Sequence, residues 1–131
     1  MEAGLYKYLL VGLGGFVGAT SRYGIDALIR RLAGSHFPFG TLVVNVTGSF
    51  LLGFLFAAAF DRLTHDHALT LLVASGFIGA YTTFSTFMLD SVRLADAGGL
   101  SLAALNLAAS LGSGLVAVWL GMLVGRLFNT A

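Results

Sequence analysis

Four apolar stretches, each long enough to cross a bilayer as a helix, follow one another along this 131-residue chain. Crossing the hydrocarbon core takes about 20 apolar residues in helical form. The connections are short and polar, and only 10% of all residues are charged, against about a quarter in soluble domains. We therefore predict an all-α integral membrane protein with a single four-helix transmembrane domain over residues 1–131. The expected helices cover residues 5–32, 39–60, 68–94 and 100–128.

Basic residues are balanced between the two sides of this four-helix arrangement. One side holds Lys7, Arg62 and Arg126, and the other holds Arg30, Arg31 and Arg93, with Arg22, inside or near the first span, left out of the tally. Orientation in a membrane normally follows an excess of Lys and Arg in the cytoplasmic loops. The missing excess favours a dual-topology chain, which inserts both ways and pairs with an inverted copy as an antiparallel homodimer. A weak bias that arose by chance is the alternative.

The third apolar stretch contains an unusual run, S-G-F-I-G-A-Y-T-T-F-S-T-F, at Ser75–Phe87. It has two glycines and five Ser or Thr hydroxyls at a depth where a lipid-facing helix is rich in Leu, Ile and Val. Such backbone is tolerated there only when it is buried in protein or lines a watery path. We predict a helix break near the middle of the third span, at Gly76, Gly79, Thr82 and Thr83. Carbonyls freed by a break ligate hard cations such as Na⁺, and two antiparallel copies would bring four of them together.

An aromatic pair, Phe84 and Phe87, follows the expected break at i, i+3 spacing on one helical face. The edge of an aromatic ring is electropositive, so rings turned inward can contact an anion. Ser85 and Thr86 offer hydroxyl donors in the same turn. Packing in a core or against lipid is the alternative interpretation of the two Phe side chains.

Polar side chains form a stripe on the second span and another on the fourth. The first contains Thr41, Asn45 and Gly48, and the second contains Asn106, Ser110 and Gly114. Each stripe lies on one face of its helix. Hydrogen bonds between packed helices explain either stripe alone. Two stripes in one small protein favour a shared polar path.

The remaining charged residues, and the motifs that the sequence lacks, argue against several classes of function. Arg22 and Asp26 have the i, i+4 spacing of an ion pair, with an anion-attracting vestibule as the other interpretation. No span carries a central Glu, Asp or Lys, which disfavours proton-coupled transport. Neither a nucleophile–base pair nor a phosphate-binding glycine loop is present, so we expect no enzyme. The net charge of +1 argues against nucleic acid as a partner.

Three motifs resemble those of the Fluc (also called CrcB) fluoride channels. They are G-G-F-V-G-A-T-S-R-Y at Gly14–Tyr23, G-T-L-V-V-N-V-T-G-S-F-L-L-G at Gly40–Gly53 and G-F-I-G-A-Y-T-T-F-S-T-F at Gly76–Phe87. The resemblance spans the chain in helix count, length and motif order. It implies a dual-topology, antiparallel homodimer with two fluoride pores in the inner (plasma) membrane.

The resemblance also implies roles for individual residues. Asn45 would contact the permeating ion, and Phe84 and Phe87 would form an aromatic wall. The carbonyls of Gly79 and Thr82 would hold a structural Na⁺ at the two-fold axis. Hydroxyls along the path would come from Ser85, Thr86 and Ser110, with Arg22 near an aqueous vestibule. The chain departs from the pattern at Ala80, where many members have a second glycine, and at Asn106, where some have Tyr.

The predicted function is passive, selective export of fluoride. HF crosses membranes as a neutral acid and dissociates inside, so the anion is trapped in the cytoplasm. An inside-negative potential drives an anion out by about 2.3 kcal/mol per charge per 100 mV. Two other functions stay open, a non-transporting membrane scaffold whose stripes only pack helices, and an ion-coupled transporter of another small ion.

Overall fold

The computed structural model describes residues 2–59 and 66–129, with side chains from 4–59 and 66–128. Within these ranges the chain is helical apart from short connections, and no strand occurs, so the all-α prediction is confirmed. Helix α1 covers Glu2–Ala33, α2 covers Phe39–Ala58, α4 covers Phe84–Asp96 and α5 covers Leu100–Asn129. Helix α3 starts at His67–Leu69, widens to π-helical geometry over Thr70–Ile78 and returns to α-helix over Gly79–Tyr81.

Three helical stretches among the described residues have the length and apolar composition of membrane spans. They are Phe39–Ala58, His67–Asp96 and Leu100–Phe128. Helix α1 is 32 residues long but less apolar, because it carries six charged residues, among them Lys7, Arg22 and Asp26, and several glycines. The count of four spans therefore stays a prediction. Phe60, the expected end of the second helix, and Arg62 of the charge tally lie outside the described residues.

Glycine, proline and aspartate mark the helix ends as local chemistry requires. Gly34 and Gly98 follow α1 and α4 with φ of 56° and 82°, a left-handed conformation that favours glycine. Pro38 precedes α2, where its missing N–H is harmless. Asp66 caps α3 by accepting a hydrogen bond of 3.0 Å from the Leu69 N–H.

Close contact between α2 and α5 depends on glycines from both helices. A methyl group placed on Gly121 would lie 2.2 Å from the Phe50 carbonyl oxygen, and one on Gly53 would lie 2.2 Å from the Val118 carbonyl oxygen. Gly125 lies against Phe54 and Ala57 in the same way. Gly121 and Gly125 form a G-x-x-x-G motif in the sequence. The structure shows that it packs backbone against backbone, as small residues do between membrane helices.

A single methyl group at this contact should be costly. Gly121→Ala should lower the free energy of unfolding by about 1–3 kcal/mol, because the helices must separate to admit it. Gly112→Ala on the same helix is the matched control, since no atom lies within 4 Å of the new methyl. Thermal denaturation of the detergent-solubilised protein, followed by loss of the monodisperse chromatographic peak, measures the difference. Equal transition temperatures for the two variants would contradict the packing described.

Candidate functional site

Two extended residues, Thr82 and Thr83, separate α3 from α4. Thr82 has φ −84° and ψ 159°, and Thr83 has φ −149° and ψ 113°. The Asn45 side chain pairs with both backbone groups of Thr83. Its Oδ1 accepts from the Thr83 N–H at 2.8 Å, and its Nδ2 donates to the Thr83 carbonyl at 3.0 Å. One amide from α2 thus supplies the partners that an unbroken helix would have provided.

The carbonyls at the end of α3 are affected differently by this interruption. In a continuous helix the Thr83 N–H would donate to the Gly79 carbonyl, but here it is bound to Asn45 instead. The Ala80 carbonyl accepts a hydrogen bond of 3.1 Å from Arg22 Nε. A cation at a helix C-terminus also interacts favourably with the helix dipole. Ala80 is helical, and no described residue other than glycine has a positive φ. The backbone at this position therefore accommodates alanine, although many members of the family that the sequence resembles have a second glycine there.

Helix α4 starts with a side-chain cap that sets the direction of the aromatic pair. Thr83 Oγ1 accepts from the Thr86 N–H at 3.3 Å and donates to Thr86 Oγ1 at 3.0 Å. Threonine is a favoured N-cap because its oxygen satisfies a free N–H of the first turn. The capped turn begins at Phe84, so Thr83, one of the two residues that interrupt the helix, also orients the aromatic side chains.

Phe84 and Phe87 meet edge to face after the cap. Their ring centroids are 6.0 Å apart and their planes make an angle of 70°. Phe87 is 4% exposed and packed, whereas Phe84 is 70% exposed within the single chain. The pair therefore combines a ring held by the protein with a ring left largely uncovered by its own chain.

A cavity of about 410 Å³ lies between α2, the interruption and α5. Four of the predicted path residues line it, namely Asn45, Phe84, Phe87 and Ser110. Other lining residues are Thr82, Thr83, Ser49, Gly48 and Gly114, with Leu and Ile side chains completing the wall. None of the described residues that line the cavity is charged. It offers amide and hydroxyl groups beside aromatic rings in an otherwise apolar wall.

Other residues predicted for the path lie elsewhere. Ser85 is exposed, Thr86 is engaged with the cap, and neither lines the cavity. Thr41 is 4% exposed and donates a hydrogen bond of 2.7 Å to Asp90 Oδ2. The face shared by Thr41 and Asn45 on α2 thus reaches two separate polar sites on α4, one at its start and one farther along.

Asp90 is the acidic residue that sequence reasoning missed. It lies near the end of the third apolar stretch and was not counted as a central carboxylate, yet it is only 9% exposed. It also lines a second cavity of about 330 Å³, beside Arg30, Arg93 and His36. Its place one turn after Phe87, on the buried face of α4 with Ser91 and Leu94, is the available sequence signal.

The expected ion pair between Arg22 and Asp26 does not form. Asp26 binds Arg30 at 2.9 Å, and Arg22 reaches the end of α3 instead. Both partners of Asp26 have i, i+4 spacing, so spacing alone cannot choose between them. The Ala80 carbonyl, left without its helical partner, decides the choice because it needs a donor at that depth.

Two polar residues on α5, Ser110 and Asn106, have different environments. Ser110 lines the cavity, whereas Asn106 is 1% exposed and faces Ser91 on α4. The stripe expected from the sequence is therefore divided. Its Ser110 end belongs to the cavity, and its Asn106 end lies in the contact between α4 and α5.

Comparisons with known proteins agree with this architecture. A family model described as CrcB-like protein, Camphor Resistance (CrcB), matches residues 9–122. A protein of Acidobacterium capsulatum named fluoride-specific ion channel FluC is 45% identical over 120 residues, 92% of this chain and 96% of the relative. Proteins of the same name from Coxiella burnetii and Aeromonas salmonicida are 44% and 46% identical, each over 90% of this chain and over 96% and 94% of their own lengths.

The names of these relatives describe ion channels and not enzymes, in agreement with the expectation from sequence. The match covers most of the chain and nearly the whole of each relative, and includes the three motifs on which the resemblance was first based. On these grounds, the chain belongs to the CrcB-like protein family.

Proposed function

We propose that this protein is a passive, selective fluoride channel that releases the anion from the cytoplasm. The observation that carries the proposal is the cavity where Asn45, Ser110 and the Phe84–Phe87 pair meet without a charged lining residue. Relatives named fluoride-specific ion channels, which cover nearly the whole chain, support the same function. Fluoride in this pathway is the transported ion.

The chemistry of the cavity suits a small, hard anion. One hydrogen of the Asn45 amide binds the Thr83 carbonyl, so the second remains for a ligand. Aromatic ring edges add a weak positive field without a charge that would hold the ion in place. Fast conduction requires binding that is favourable on entry and weak enough for release. A lining of neutral donors meets both requirements, and it favours fluoride because compact donors replace the water of a small ion best.

Export needs no coupled ion in this scheme. The inside-negative membrane potential moves one anion outward by about 2.3 kcal/mol per 100 mV. Asp90, the buried carboxylate, accepts a hydrogen bond from Thr41. Because it has this partner, the scheme does not require it to bind a transported proton. We place the protein in the inner membrane, where fluoride trapped after entry of HF can leave down its gradient.

We further propose an antiparallel, dual-topology homodimer of four-span chains with two pores. Three observations support it. Phe84 is 70% exposed although it lines the cavity, so an inverted second copy would cover a ring that one chain leaves open. The cavity itself opens to the surface of the single chain, and a partner would complete its wall. The balanced basic residues of the sequence are consistent with insertion in both directions.

A structural Na⁺ at the two-fold axis is part of the same proposal. The Gly79 carbonyl is deprived of its helical donor because the Thr83 N–H binds Asn45, and Thr82 is extended, so both residues fit a hard cation. The two carbonyls of each chain would hold it. When bound, the cation supplies fixed positive charge between the pores, while Asn45 and Thr83 keep the interruption in shape.

The remaining predicted residues take supporting roles in the proposed path. Thr41 would lie beside the path with its only hydroxyl hydrogen donated to Asp90, and Ser85 and Thr86 would offer hydroxyls where α4 starts. Arg22 uses Nε for the Ala80 carbonyl, and its terminal nitrogens have no partner among the described residues. They would therefore attract anions to a vestibule beside the interruption.

Purified protein in liposomes tests the proposal directly. We expect fluoride efflux under a potential set by valinomycin, with much slower chloride efflux and no dependence on an imposed proton gradient. A scaffold protein would release neither anion, and an ion-coupled transporter would respond to the gradient of its coupling ion. Equal efflux of the two halides would also contradict a selective fluoride channel.

The aromatic pair provides a second test with a matched control. Phe84→Ile should lower fluoride flux by about tenfold, since the lost aromatic contact is worth up to about 1.5 kcal/mol. The fold of each chain should change little because Phe84 is 70% exposed within the single chain, and Phe16→Ile, at 73% exposure on α1, is the control for lipid-facing rings. Efflux from liposomes and melting in detergent measure the two effects. Equal flux in both variants would indicate that Phe84 only contacts lipid.

Topology can be tested in cells. A protease site added at the C-terminus should be cleaved from each side of the membrane in about half of the chains, because no excess of basic residues selects an orientation. Adding two Lys to one connection should then shift the population to one side. Cleavage of the unmodified chain from a single side would exclude dual topology.

A further inference from the structure

Asn106 is buried in the contact between α4 and α5, outside the cavity. Its side chain is 1% exposed, although it lies on a helix whose other described residues are mostly accessible in the single chain. It does not line the cavity that Ser110, one turn later, helps to form. An amide buried at this depth is costly unless its groups are paired, so its partners indicate its role.

The hydrogen bonds of Asn106 form a chain with a defined direction. Ser91 Oγ donates its only hydrogen to the Phe87 carbonyl at 2.9 Å. Ser91 can therefore only accept from its other neighbour, and Asn106 Nδ2 donates to it at 2.9 Å. This sets the orientation of the amide, whose Oδ1 accepts from Ser110 Oγ at 3.4 Å. The chain runs from the cavity, through the helix contact, to the backbone of Phe87.

We infer that Asn106 is a positioning residue that holds the Phe87 ring in the ion path by way of Ser91. The inference rests on the proposed fluoride function and goes further, because it gives Asn106 a role without contact with the ion. Phe87 lies one helical turn before Ser91, and its carbonyl is tied through Ser91 to α5. Phe84, which has no such connection, is the exposed member of the pair.

The same amide sets the direction of the Ser110 hydroxyl. Ser110 has one hydrogen, and it is directed at Asn106 Oδ1, so its lone pairs face the remaining surroundings. The separation of 3.4 Å makes this a weak bond that an anion in the cavity can replace. Asn106 thus holds Phe87 firmly and Ser110 loosely. The Nδ2 group of the amide is linked through Ser91 to Phe87, and its Oδ1 is linked to Ser110; both of these residues line the same cavity.

Fluorine NMR of labelled phenylalanine tests the positioning role independently of transport. The full-length protein carries 4-fluorophenylalanine at position 87 or, separately, at position 84, and is measured without added fluoride. Ser91→Ala and Asn106→Leu should each shift and broaden the signal at position 87 and leave the signal at position 84 unchanged. Ser113→Ala is the matched control, because Ser113 also donates to the carbonyl four residues earlier but has no connection to Phe87.

A double variant separates positioning from structural support. Combining Ser91→Ala with Asn106→Leu leaves neither partner unpaired, so stability should recover toward that of the unmodified protein. The signal at position 87 should nevertheless stay displaced, since its link to α5 is absent. A signal at position 87 that returns with stability would overturn the inference. So would equal shifts at both positions, or a shift of the same size in the Ser113→Ala control.

Fluoride efflux provides the functional readout. Ser91→Ala should reduce flux by about fivefold, the effect of one hydrogen bond of ordinary strength, while Ser113→Ala conducts normally. Selectivity against chloride should fall in the same variants because the ring can move. If the unmodified protein conducts no fluoride, the proposed function fails whatever the NMR result. If it conducts and position 87 does not respond, the positioning role alone is wrong.

Discussion

The pairing of the Asn45 amide with both backbone groups of Thr83 is the interaction on which the site depends. An extended residue inside an apolar stretch leaves an N–H and a carbonyl without helical partners, and lipid offers none. Asn45 supplies both from the neighbouring helix, at 2.8 Å and 3.0 Å. Arg22 does the same for the Ala80 carbonyl, so the end of α3 is satisfied as well. The interruption is therefore a stable feature whose cost is offset by named side chains.

The geometry of the cavity follows from that interruption. Thr83 ends the extended segment and caps α4, which directs Phe84 and Phe87 toward the surface where Asn45 lies. On the other side, glycines let α2 and α5 approach until their backbones touch, which brings Ser110 to the same cavity. The Asn45 amide, the Ser110 hydroxyl and the two Phe rings meet because the interruption between α3 and α4 lies beside the close contact of α2 and α5. The proposed partner copy would close the open side.

Buried hydrogen bonds also fix the part of α4 that lies beyond the cavity. Thr41 binds Asp90, and Asn106 binds Ser91, so consecutive residues of α4 are attached to α2 and to α5. In a low-dielectric interior each of these groups needs its partner, which makes the attachments specific. Phe87 lies one turn before these attached residues and is almost fully covered, whereas Phe84 is largely exposed in the single chain. The proposed channel thus has one rigid and one accessible aromatic wall.

Much of the site was predictable because bilayer chemistry limits what an apolar helix can contain. Glycines and hydroxyls at Ser75–Phe87, an Asn in the second span and a Phe pair stand out in any such sequence, and Asn45, Phe84, Phe87 and Ser110 do line one cavity. The sequence by itself determined the helical class and these polar positions, since both follow from hydropathy and period. Only the tertiary structure decided the partners. Arg22 binds Ala80 instead of Asp26, Asp90 is buried, and Asn106 faces Ser91, because each choice depends on which unpaired group an adjacent helix brings within reach.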